Sequence, residues 1–395
     1  MRVVFLTNIV SPYRLPVFES LAQTPGWDFH VLVNAQREFD RGWDVDTSSV
    51  RVKASRTVSV PRKVKSYYPV PFEQVITLHL PVGLWGDLLR LKPDVVISHE
   101  TGPRSAVAAA YCRMFRVPLV LWAYQSRVSA TQAEGVRRFV RNQIFRSASA
   151  VVGMGTQTRE VLRGWGVKDE NIIDAPNAAD HRGLQRRLAN PETQTRVRDL
   201  KERYGRGRRI ALVVGRLIPL KGTAELLGHW SQLPREVRRA WSLVFVGSGP
   251  LEHLVQNRQQ DGIHHVASVQ PEAMADWYRA ADLHLFPTLG DVWGLVVNEA
   301  MACGTPTLCS VHAGCCDDLI RHRENGWAYD PTRADASESL CEALCHPLLE
   351  SFGGVARKDV APFTTQRLAD AFREGVNRVT TQAVTSPASA VPSIA

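Results

Sequence analysis

Residues 286–306 read FPTLGDVWGLVVNEAMACGTP, a run in which a buried strand, an acidic loop and a short helix follow one another. The apolar spacing predicts a helix over Leu295–Ala302, and Gly304 with a proline behind it is a typical helix stop. Asp291 precedes this helix and Glu299 lies within it. We expect both carboxylates to project toward one cleft, where each oxygen can accept a charge-assisted hydrogen bond from a hydroxyl group. The alternative is that Glu299 is an ordinary surface charge of the helix.

Two glycine turns precede this run in the chain. The first, VVGRLIPLKG, ends a predicted strand at Gly215 and places the cations of Arg216 and Lys221 beside the start of a helix. Cations beside a helix N-terminus form an anion site, for which a diphosphate is the natural occupant. The second, VFVGSGPL, puts Gly247 and Gly249 in a strand-to-helix turn of the kind that cradles phosphate. Taken one at a time, the turns are equally consistent with two solvated cations and a packing turn.

Short apolar runs alternate with segments of helical spacing along most of the chain. This alternation predicts an α/β fold with parallel sheets, because parallel strands buried on both faces form continuous apolar runs. Two series occur, so we expect two sheets with a cleft between them and ligands at the carboxyl ends of the strands. The predicted strands are Val3–Leu6, His30–Val33, Asp94–Ser98, Pro118–Trp122 and Ala150–Val152 in the first series, and Arg209–Val214, Ser242–Val246, His264–Val266, Leu283–Phe286 and Thr307–Cys309 in the second.

The composition is that of a folded protein with an excess of basic residues. Of 395 residues, 44% are hydrophobic and 22% charged, which excludes a disordered or fibrous chain. The net charge of +9 suits an anionic partner, although basic residues scattered over a solvated surface give the same total. The seven cysteines lack the spacing of a zinc site, and no run approaches the ~20 apolar residues of a membrane-spanning helix. Together with the unpaired thiols, these features predict a cytoplasmic protein.

The order and spacing of the three motifs resemble the donor half of the retaining family-4 glycosyltransferases. The turns around Arg216 and Lys221, the GSGP turn and the acid–seven residues–Glu pattern before AMACGTP stand in the family's order. The likeness covers most of residues 1–380 and is strongest from 150 to 330. It implies the GT-B architecture, in which two Rossmann-like parallel-sheet domains face a cleft. It also implies transfer of a sugar, with retention, from a nucleotide-sugar donor (UDP-, GDP- or similar) to a glycan, lipid-linked or other small acceptor, as in polysaccharide biosynthesis.

The resemblance also divides the chain into domains. It predicts an N-terminal acceptor-binding domain at residues 1–180 and a C-terminal donor-binding domain at residues 181–360. A C-terminal helix is expected at residues 361–380. Residues 381–395 lack charge and periodicity, and we expect them to form a disordered tail.

Roles follow from the resemblance by position. Arg216 and Lys221 would bind the donor diphosphate and stabilise the charge that grows on it as the glycosidic bond breaks, a large electrostatic contribution in such transfers. Glu299 would hydrogen-bond the nucleotide ribose, and Asp291 would contact the hydroxyl groups of the donor sugar. Because the two cations can take the place of a metal, no metal and no cofactor besides the nucleotide-sugar co-substrate is expected. The other residues expected around the donor are Gly215, Gly247, Gly249, Trp293, Gly294 and Leu295.

Three departures from the family pattern bear on catalysis. The first acid is Asp291 where the family usually has Glu, and residues 8–14 replace the paired glycines after the first strand. The family's histidine is missing from WAYQSR, the loop that begins at Trp122. His99, at the preceding strand end, is the candidate to position the donor sugar or the acceptor, with Glu100 as a polar partner or base. A structural histidine is the alternative. These gaps leave open a non-catalytic nucleotide-sugar-binding or regulatory subunit of the same fold, and a sugar-nucleotide epimerase.

Two basic segments point to a further partner. Residues 137–146 read RRFVRNQIFR, which puts arginines on one side of a helix and apolar residues on the other. Such a helix can lie on an anionic membrane. For the apolar residues we favour the alternative that Phe139, Val140, Ile144 and Phe145 pack on the sheet, while the arginines face water and could still attract phospholipid or an acidic acceptor. A second run, residues 51–65, is expected in a loop and matches no nucleic-acid-binding module, so no nucleic acid is expected. Peripheral contact with the inner face of the plasma membrane is left open.

Overall fold

The structure, a computed structural model, describes residues 1–35, 45–66, 72–130, 135–175, 177–258, 262–267 and 269–385. Within these residues the chain forms two parallel sheets and one antiparallel hairpin, with helices between the strands. The predicted α/β class with two parallel sheets is therefore confirmed.

The N-terminal unit carries the larger sheet. Its elements are β1 (Arg2–Thr7), α1 (Leu15–Ala22), β2 (Asp28–Val33), β3 (Val52–Ala54), β4 (Val58–Ser66), β5 (Phe72–Leu80), α2 (Leu84–Leu91), β6 (Val95–His99), α3 (Pro103–Phe115), β7 (Leu119–Ala123), α4 (Arg127–Ala130), α5 (Val136–Ser147), β8 (Ala150–Gly153), α6 (Gly155–Gly164) and β9 (Ile172–Asp174). Seven of the strands pair in the order β3-β2-β1-β6-β7-β8-β9, all parallel, and β4 and β5 form the hairpin.

The C-terminal unit carries the smaller sheet. Its elements are α7 (His181–Ala189), α8 (Pro191–Leu200), β10 (Arg209–Val214), α9 (Thr223–Gln232), α10 (Arg235–Ala240), β11 (Trp241–Val246), α11 (Glu252–Gln256), β12 (Ile263–Val266), α12 (Met274–Ala280), β13 (Leu283–Phe286), α13 (Leu295–Ala302), β14 (Thr307–Ser310), α14 (Cys316–Leu319), β15 (Gly326–Tyr329), α15 (Ala336–Cys345), α16 (Leu349–Val360) and α17 (Thr365–Thr385). The strands pair in parallel in the order β12-β11-β10-β13-β14-β15.

Each sheet has a point where the strand order reverses. In the first sheet the reversal lies between β1 and β6, and in the second it lies between β10 and β13. Loops leave neighbouring strands in opposite directions at such a point, so a crevice opens at the carboxyl ends of the two strands, where ligands of this fold class bind. The loops after β1, β6, β10 and β13 are therefore the places to look for a site.

Both faces of the first sheet are covered, which explains its continuous apolar strands. Val3 and Phe5 of β1 belong to one buried cluster, whereas Val4 and Leu6 belong to another on the opposite face. The first cluster includes residues of α17, which returns from the C-terminal unit and packs on the N-terminal sheet. The Phe372 ring of α17 is fully buried, with its centroid 5.3 Å from that of Phe5.

The boundaries of α17 differ from the prediction. The helix begins at Thr365 rather than at residue 361, because residues 361–364 form the turn after α16, and it ends at Thr385, five residues into the predicted tail. Its apolar positions pack on the first sheet as far as Val379. Residues 386–395 lie outside the described residues.

Two interpretations of the basic segments are wrong. Residues 58–66, expected in a loop, form β4, which pairs with β5 from Val58 opposite Leu80 to Ser66 opposite Phe72. In α5, Phe139 and Val140 do not pack on the sheet, and Phe139 is 63% exposed. The buried face of the helix consists of Ile144 and Phe145 together with Arg141. The Arg141 guanidinium lies 3.6 Å from the centroid of the Trp165 ring, which explains how a cation occupies a buried position.

Candidate functional site

The second sheet presents a lysine–aspartate pair at its reversal point. Lys221 ends the short 3₁₀ turn Pro219–Lys221 after β10, and Asp291 lies in the loop after β13. The Lys221 ammonium forms an ion pair with the Asp291 carboxylate, and both side chains remain partly exposed. The other oxygen of Asp291 accepts a hydrogen bond from the Trp293 backbone N–H at 3.1 Å. These two charges, predicted separately from the sequence, are therefore brought together.

Backbone contacts hold the two loops against each other. The Leu289 N–H donates to the Leu220 carbonyl at 2.8 Å, and the Thr288 hydroxyl donates to the same oxygen at 3.1 Å. Gly222 has a positive φ of 69°, and a Cβ added there would lie 1.9 Å from the Pro287 carbonyl oxygen. Only glycine allows this close approach, so the Lys–Gly pair of the motif fixes where the Lys221 ammonium lies.

The two glycine turns of the second sheet also pack together. A Cβ added at Gly247 would lie 2.0 Å from the Gly215 carbonyl oxygen, so the turn after β11 needs glycine to lie against the turn after β10. Gly249 continues this turn, and its N–H donates to the Glu252 carboxylate at 2.7 Å. Arg216 follows Gly215 directly in this turn and is exposed. The predicted phosphate-binding residues thus line one edge of the sheet.

Glu299 lies in the helix that follows the loop carrying Asp291. It belongs to α13, whose N-cap Gly294 has a φ of 106° and faces the Phe286 ring, with Leu295 as the first helical residue. Burial raises the pKa of Glu299 to about 7, and the Tyr278 hydroxyl, which donates to the carboxylate at 2.7 Å, opposes part of this rise. Its carboxyl group therefore titrates near neutral pH.

Trp293 and Asn298 connect the loop after β13 to the segment between the units. The Trp293 side chain is buried, and its indole N–H donates to the Asn298 side-chain oxygen at 2.7 Å. The Asn298 amide in turn donates to the Asn177 carbonyl at 3.3 Å. Asn298 was not predicted as a site residue; the signal for it was its position next to Glu299 on a predicted site helix.

A polar cluster lies at the reversal point of the first sheet. His99 ends β6 with only 1% of its surface exposed, enclosed by the rings of Trp122 and Tyr124 at centroid distances of 4.3 and 4.5 Å. The guanidinium of Arg14 lies 3.3 Å from Nε2 of His99. Burial, with the nearby Arg14 and Arg104 cations, holds the pKa of His99 well below its usual range, so the imidazole is neutral. The predicted direct contact between His99 and a ligand would require the Trp122 and Tyr124 rings that enclose His99 to move. In this structure His99 instead supports the side chains of Arg14 and Tyr124.

Glu100 is the carboxylate of this cluster. Both of its oxygens accept hydrogen bonds from the Asn8 amide at 3.2 Å, and one also accepts from the Tyr124 hydroxyl. Burial raises the pKa of Tyr124 well above its usual range, with the Glu100 charge adding to the rise, so the hydroxyl keeps its proton and acts as the donor. Arg104 approaches the carboxylate at 3.9 Å and donates to the Asn8 side-chain oxygen at 2.6 Å. Glu100 was predicted from the sequence, whereas its partners Asn8, Tyr124 and Arg104 were not.

The two reversal points are tied to each other by contacts between the units. A Cβ added at Gly290 would lie 3.0 Å from Cγ1 of Val128, in the α4 segment that follows β7. The Asp318 carboxylate accepts from the Thr156 N–H at 3.0 Å and from the Thr156 hydroxyl at 2.8 Å, at the start of α6. The loop carrying Tyr124 therefore runs directly into a contact with the loop carrying Asp291.

Within the described residues, no group of three or more His, Cys, Asp or Glu side chains is arranged to hold a metal ion. Across the same residues, every helix is too short or too polar to cross a lipid bilayer.

Two family models match the chain, one in each unit. The model described as "Glycosyl transferase 4-like domain" matches residues 10–178, and the model described as "Glycosyl transferases group 1" matches residues 198–351. Together they account for most of the chain. The chain belongs to the family-4 glycosyltransferases with the GT-B fold.

Curated members of this glycosyltransferase family are similar over part or nearly all of the chain. The D-inositol 3-phosphate glycosyltransferase of Thermobispora bispora is 32% identical over 192 residues, which cover 43% of this chain and 44% of that protein. The chain thus spans about half the length of this relative. The enzyme of the same name from Corynebacterium diphtheriae is 24% identical over 94% of this chain and 93% of that protein.

Solved GT-B structures superpose on the whole chain. HepE of Anabaena in complex with UDP has a TM-score of 0.72 at 17% identity, covering 97% of this chain and 100% of that one. Sucrose-phosphate synthase of Thermosynechococcus elongatus has a TM-score of 0.70 at 18% identity, covering 98% and 100%. At these identities the likeness concerns the fold, and it confirms the predicted GT-B architecture.

Proposed function

We propose that this chain transfers a sugar, with retention, from a nucleotide-sugar donor to a hydroxyl of a glycan, lipid-linked or other small acceptor. The observation that carries the proposal is the Lys221–Asp291 ion pair at the reversal point of the second sheet, beside the packed glycine turns. A cation and an acid in contact at this place suit a ligand that has a diphosphate next to a sugar. HepE, a structural neighbour, has been solved with UDP and with UDP-glucose, which supports a uridine nucleotide as the first donor to try.

The donor site would work by electrostatic stabilisation of the leaving group. Lys221 and Arg216 would face the diphosphate, whose charge grows as the bond to the sugar breaks, and fixed cations lower that barrier. Asp291 would exchange part of its contact with Lys221 for the sugar hydroxyls. Gly215, Gly247 and Gly249 would allow the nucleotide to approach the backbone, with the Trp293–Leu295 backbone on the sugar side and Glu299 on the ribose. The rigid backbone contacts between the loops support this preorganisation. No metal ion is needed in this scheme, because the two cations supply the positive charge.

The N-terminal unit would bind the acceptor, and its outer surface would contact an anionic membrane at the cytoplasmic face. Support comes from α5, where Phe139 is 63% exposed and Val140 is also exposed, next to the exposed Arg138. An apolar side chain beside a cation suits the interface of a bilayer that carries anionic lipids. We expect cosedimentation with vesicles containing one-third phosphatidylglycerol, and a Phe139→Ser change should weaken it several-fold. Equal binding to pure phosphatidylcholine vesicles, or none to either, would contradict this contact.

A nucleotide panel tests the donor site. Thermal stability is measured with UDP, GDP, ADP and dTDP for the wild type, Lys221→Ala and the control Lys201→Ala. Lys201 lies away from the crevice, and its ammonium is 3.7 Å from the Asp282 carboxylate. We expect one nucleotide to raise the Tm of the wild type and of Lys201→Ala, and to have little effect on Lys221→Ala.

Transfer is then tested with the matching nucleotide sugar. Nucleotide release that depends on an acceptor, with the sugar recovered on that acceptor, supports the glycosyltransferase and excludes an epimerase. Lys221→Ala should lower kcat by about 10²–10³-fold, the usual effect of removing one group that stabilises a developing negative charge. Binding of a nucleotide without any release would favour the non-catalytic subunit, and the absence of binding would refute the donor site.

A further inference from the structure

Glu100 has a backbone conformation that needs an explanation. Its φ is +71°, in the left-handed region that side chains other than glycine rarely adopt. Of the other described non-glycine residues with positive φ, Lys92, Arg116 and Arg206 each end a helix, where this conformation is common, and Arg323 lies in the turn before β15. Glu100 instead follows a central strand of the first sheet. Strained backbone of this kind is concentrated at functional sites.

The strain turns the Glu100 carboxylate into the crevice at the reversal point between β1 and β6. Three side chains from other elements hold it there: Asn8 from the loop after β1, Tyr124 from the loop after β7, and Arg104 from α3. About a third of the Glu100 side chain remains exposed (34%), so the carboxylate is fixed in place but still open to solvent. The carboxylate is thus held by three partners while its exposed part remains accessible to a ligand.

The position of Tyr124 links this carboxylate to the reaction. Tyr124 lies in the loop where the family resemblance places a histidine that this chain lacks. The same loop continues to Val128, which meets Gly290 next to Asp291 on the donor side. The Glu100 carboxylate and the donor-side acid therefore belong to loops that contact each other across the crevice.

We propose that Glu100 is the residue that binds the attacking hydroxyl of the acceptor, and that Tyr124 and Asn8 position its carboxylate. The acceptor O–H would donate its hydrogen bond to the exposed part of the carboxylate, which leaves the oxygen lone pair directed at the donor. A charge-assisted hydrogen bond of this type is stronger than one between neutral groups and fixes the direction of the hydroxyl. This inference rests on the proposed function, since it assigns the acceptor side of the same crevice.

The test compares Glu100→Gln and Glu100→Gly with the wild type and with Glu170→Gln, a matched change at an exposed glutamate of the same unit. The probes are UDP-glucose as the donor, with water or D-inositol 3-phosphate as the acceptor, and UDP release is measured. We expect both Glu100 variants to release UDP at least tenfold more slowly, while the rise in Tm on adding UDP stays as in the wild type. Glu170→Gln should behave as the wild type.

Thermal stability separates this role from a structural one. Glycine at position 100 relieves the backbone strain, so Glu100→Gly should melt no lower than the wild type although it loses the hydrogen bonds of the carboxylate. A lower Tm for both Glu100 variants, or UDP release at the wild-type rate, would overturn the inference. If another nucleotide of the panel stabilises the wild type instead of UDP, its sugar replaces UDP-glucose as the probe; if none does, the proposed donor site falls first and this assignment falls with it.

Tyr124→Phe tests the positioning role. The change keeps the ring that packs against His99 and removes only the hydroxyl. Because a positioning residue acts on the placement of the acceptor, we expect the KM for the acceptor to rise several-fold with a smaller change in kcat. An unchanged KM would show that Tyr124 does not position the carboxylate.

Discussion

Replacing Glu299 by glutamine is expected to stabilise the protein at pH 8 and to leave its stability at pH 4 nearly unchanged. The reason is that burial raises the pKa of Glu299 from its ordinary value of 4.5 to about 7. Below pH 4.5 the group is protonated in the folded and the unfolded state alike. Between pH 4.5 and 7 the unfolded state ionises while the folded state keeps its proton, so the free energy of unfolding falls as the pH rises. Glutamine, which does not ionise, removes this fall.

The magnitude follows from the same pKa values. A rise from 4.5 to about 7 corresponds to about 3 kcal/mol of lost stability above pH 7, and this is an upper limit because the side chain is only partly buried. For a unit of 150–250 residues, each kcal/mol moves Tm by about 2–4 °C. Glu299→Gln should therefore melt several degrees above the wild type at pH 8.

The assay is thermal unfolding of the wild type and Glu299→Gln at pH 4, 5, 6, 7 and 8, with and without UDP. Without ligand, the difference in Tm should grow between pH 5 and 7 and then level off. With UDP, the wild type should gain affinity as the pH rises through about 7, because the ionised carboxylate is the better acceptor for ribose hydroxyls, and the variant should not. A Tm difference that is constant over the whole range would refute the reasoning, since it would mean that Glu299 titrates normally in the folded state.

Two further substitutions test the packing that holds the site. Gly222→Ala forces a Cβ into the Pro287 carbonyl and strains a positive φ, so it should lower the stability measured by urea unfolding by about 2 kcal/mol or more, whereas Gly228→Ala, where a Cβ meets nothing within 4 Å, should be neutral or stabilising. Phe372→Ala empties a fully buried site between α17 and the first sheet and should cost about 3–5 kcal/mol in the same measurement, with the exposed Arg367→Ala as a control. A loss of under about 1 kcal/mol for either would show that the contact is not needed.

Much of the framework could be predicted from the sequence because its signals are local. The bounds of β10, β13 and α13 agree with the prediction to the residue, since each is an apolar run or helical pattern closed by a glycine or proline. The pairing of β4 with β5 was missed for the opposite reason. Its alternation of Val58 and Val60 is interrupted by Pro61 and followed by cations, and the strand leaves large apolar side chains exposed, so it lacks the signature of a buried strand.

The orientation of α5 shows a second limit of pattern reasoning. Apolar character alone places Phe139 and Val140 on the buried face of α5. The helical period instead places Arg141 there, because Arg141 lies three residues before Ile144 and four residues before Phe145, which are both buried. The sequence gives no sign that the Trp165 ring lies in place to receive a guanidinium. That contact is between residues distant in the chain, and it decides which apolar side chains remain on the surface.

The two sides of the crevice differ in the same way. Around the Lys221–Asp291 pair, close backbone approach requires glycine, so Gly222, Gly247 and Gly249 mark in the sequence where the loops meet, and Lys221 could be located with them. On the opposite side the geometry is made by side chains: Glu100 is held by partners from three separate elements, and none of these contacts demands a residue type that a motif would record. The arrangement around Glu100 therefore could not be predicted from the sequence, whereas the backbone contacts around Lys221 could.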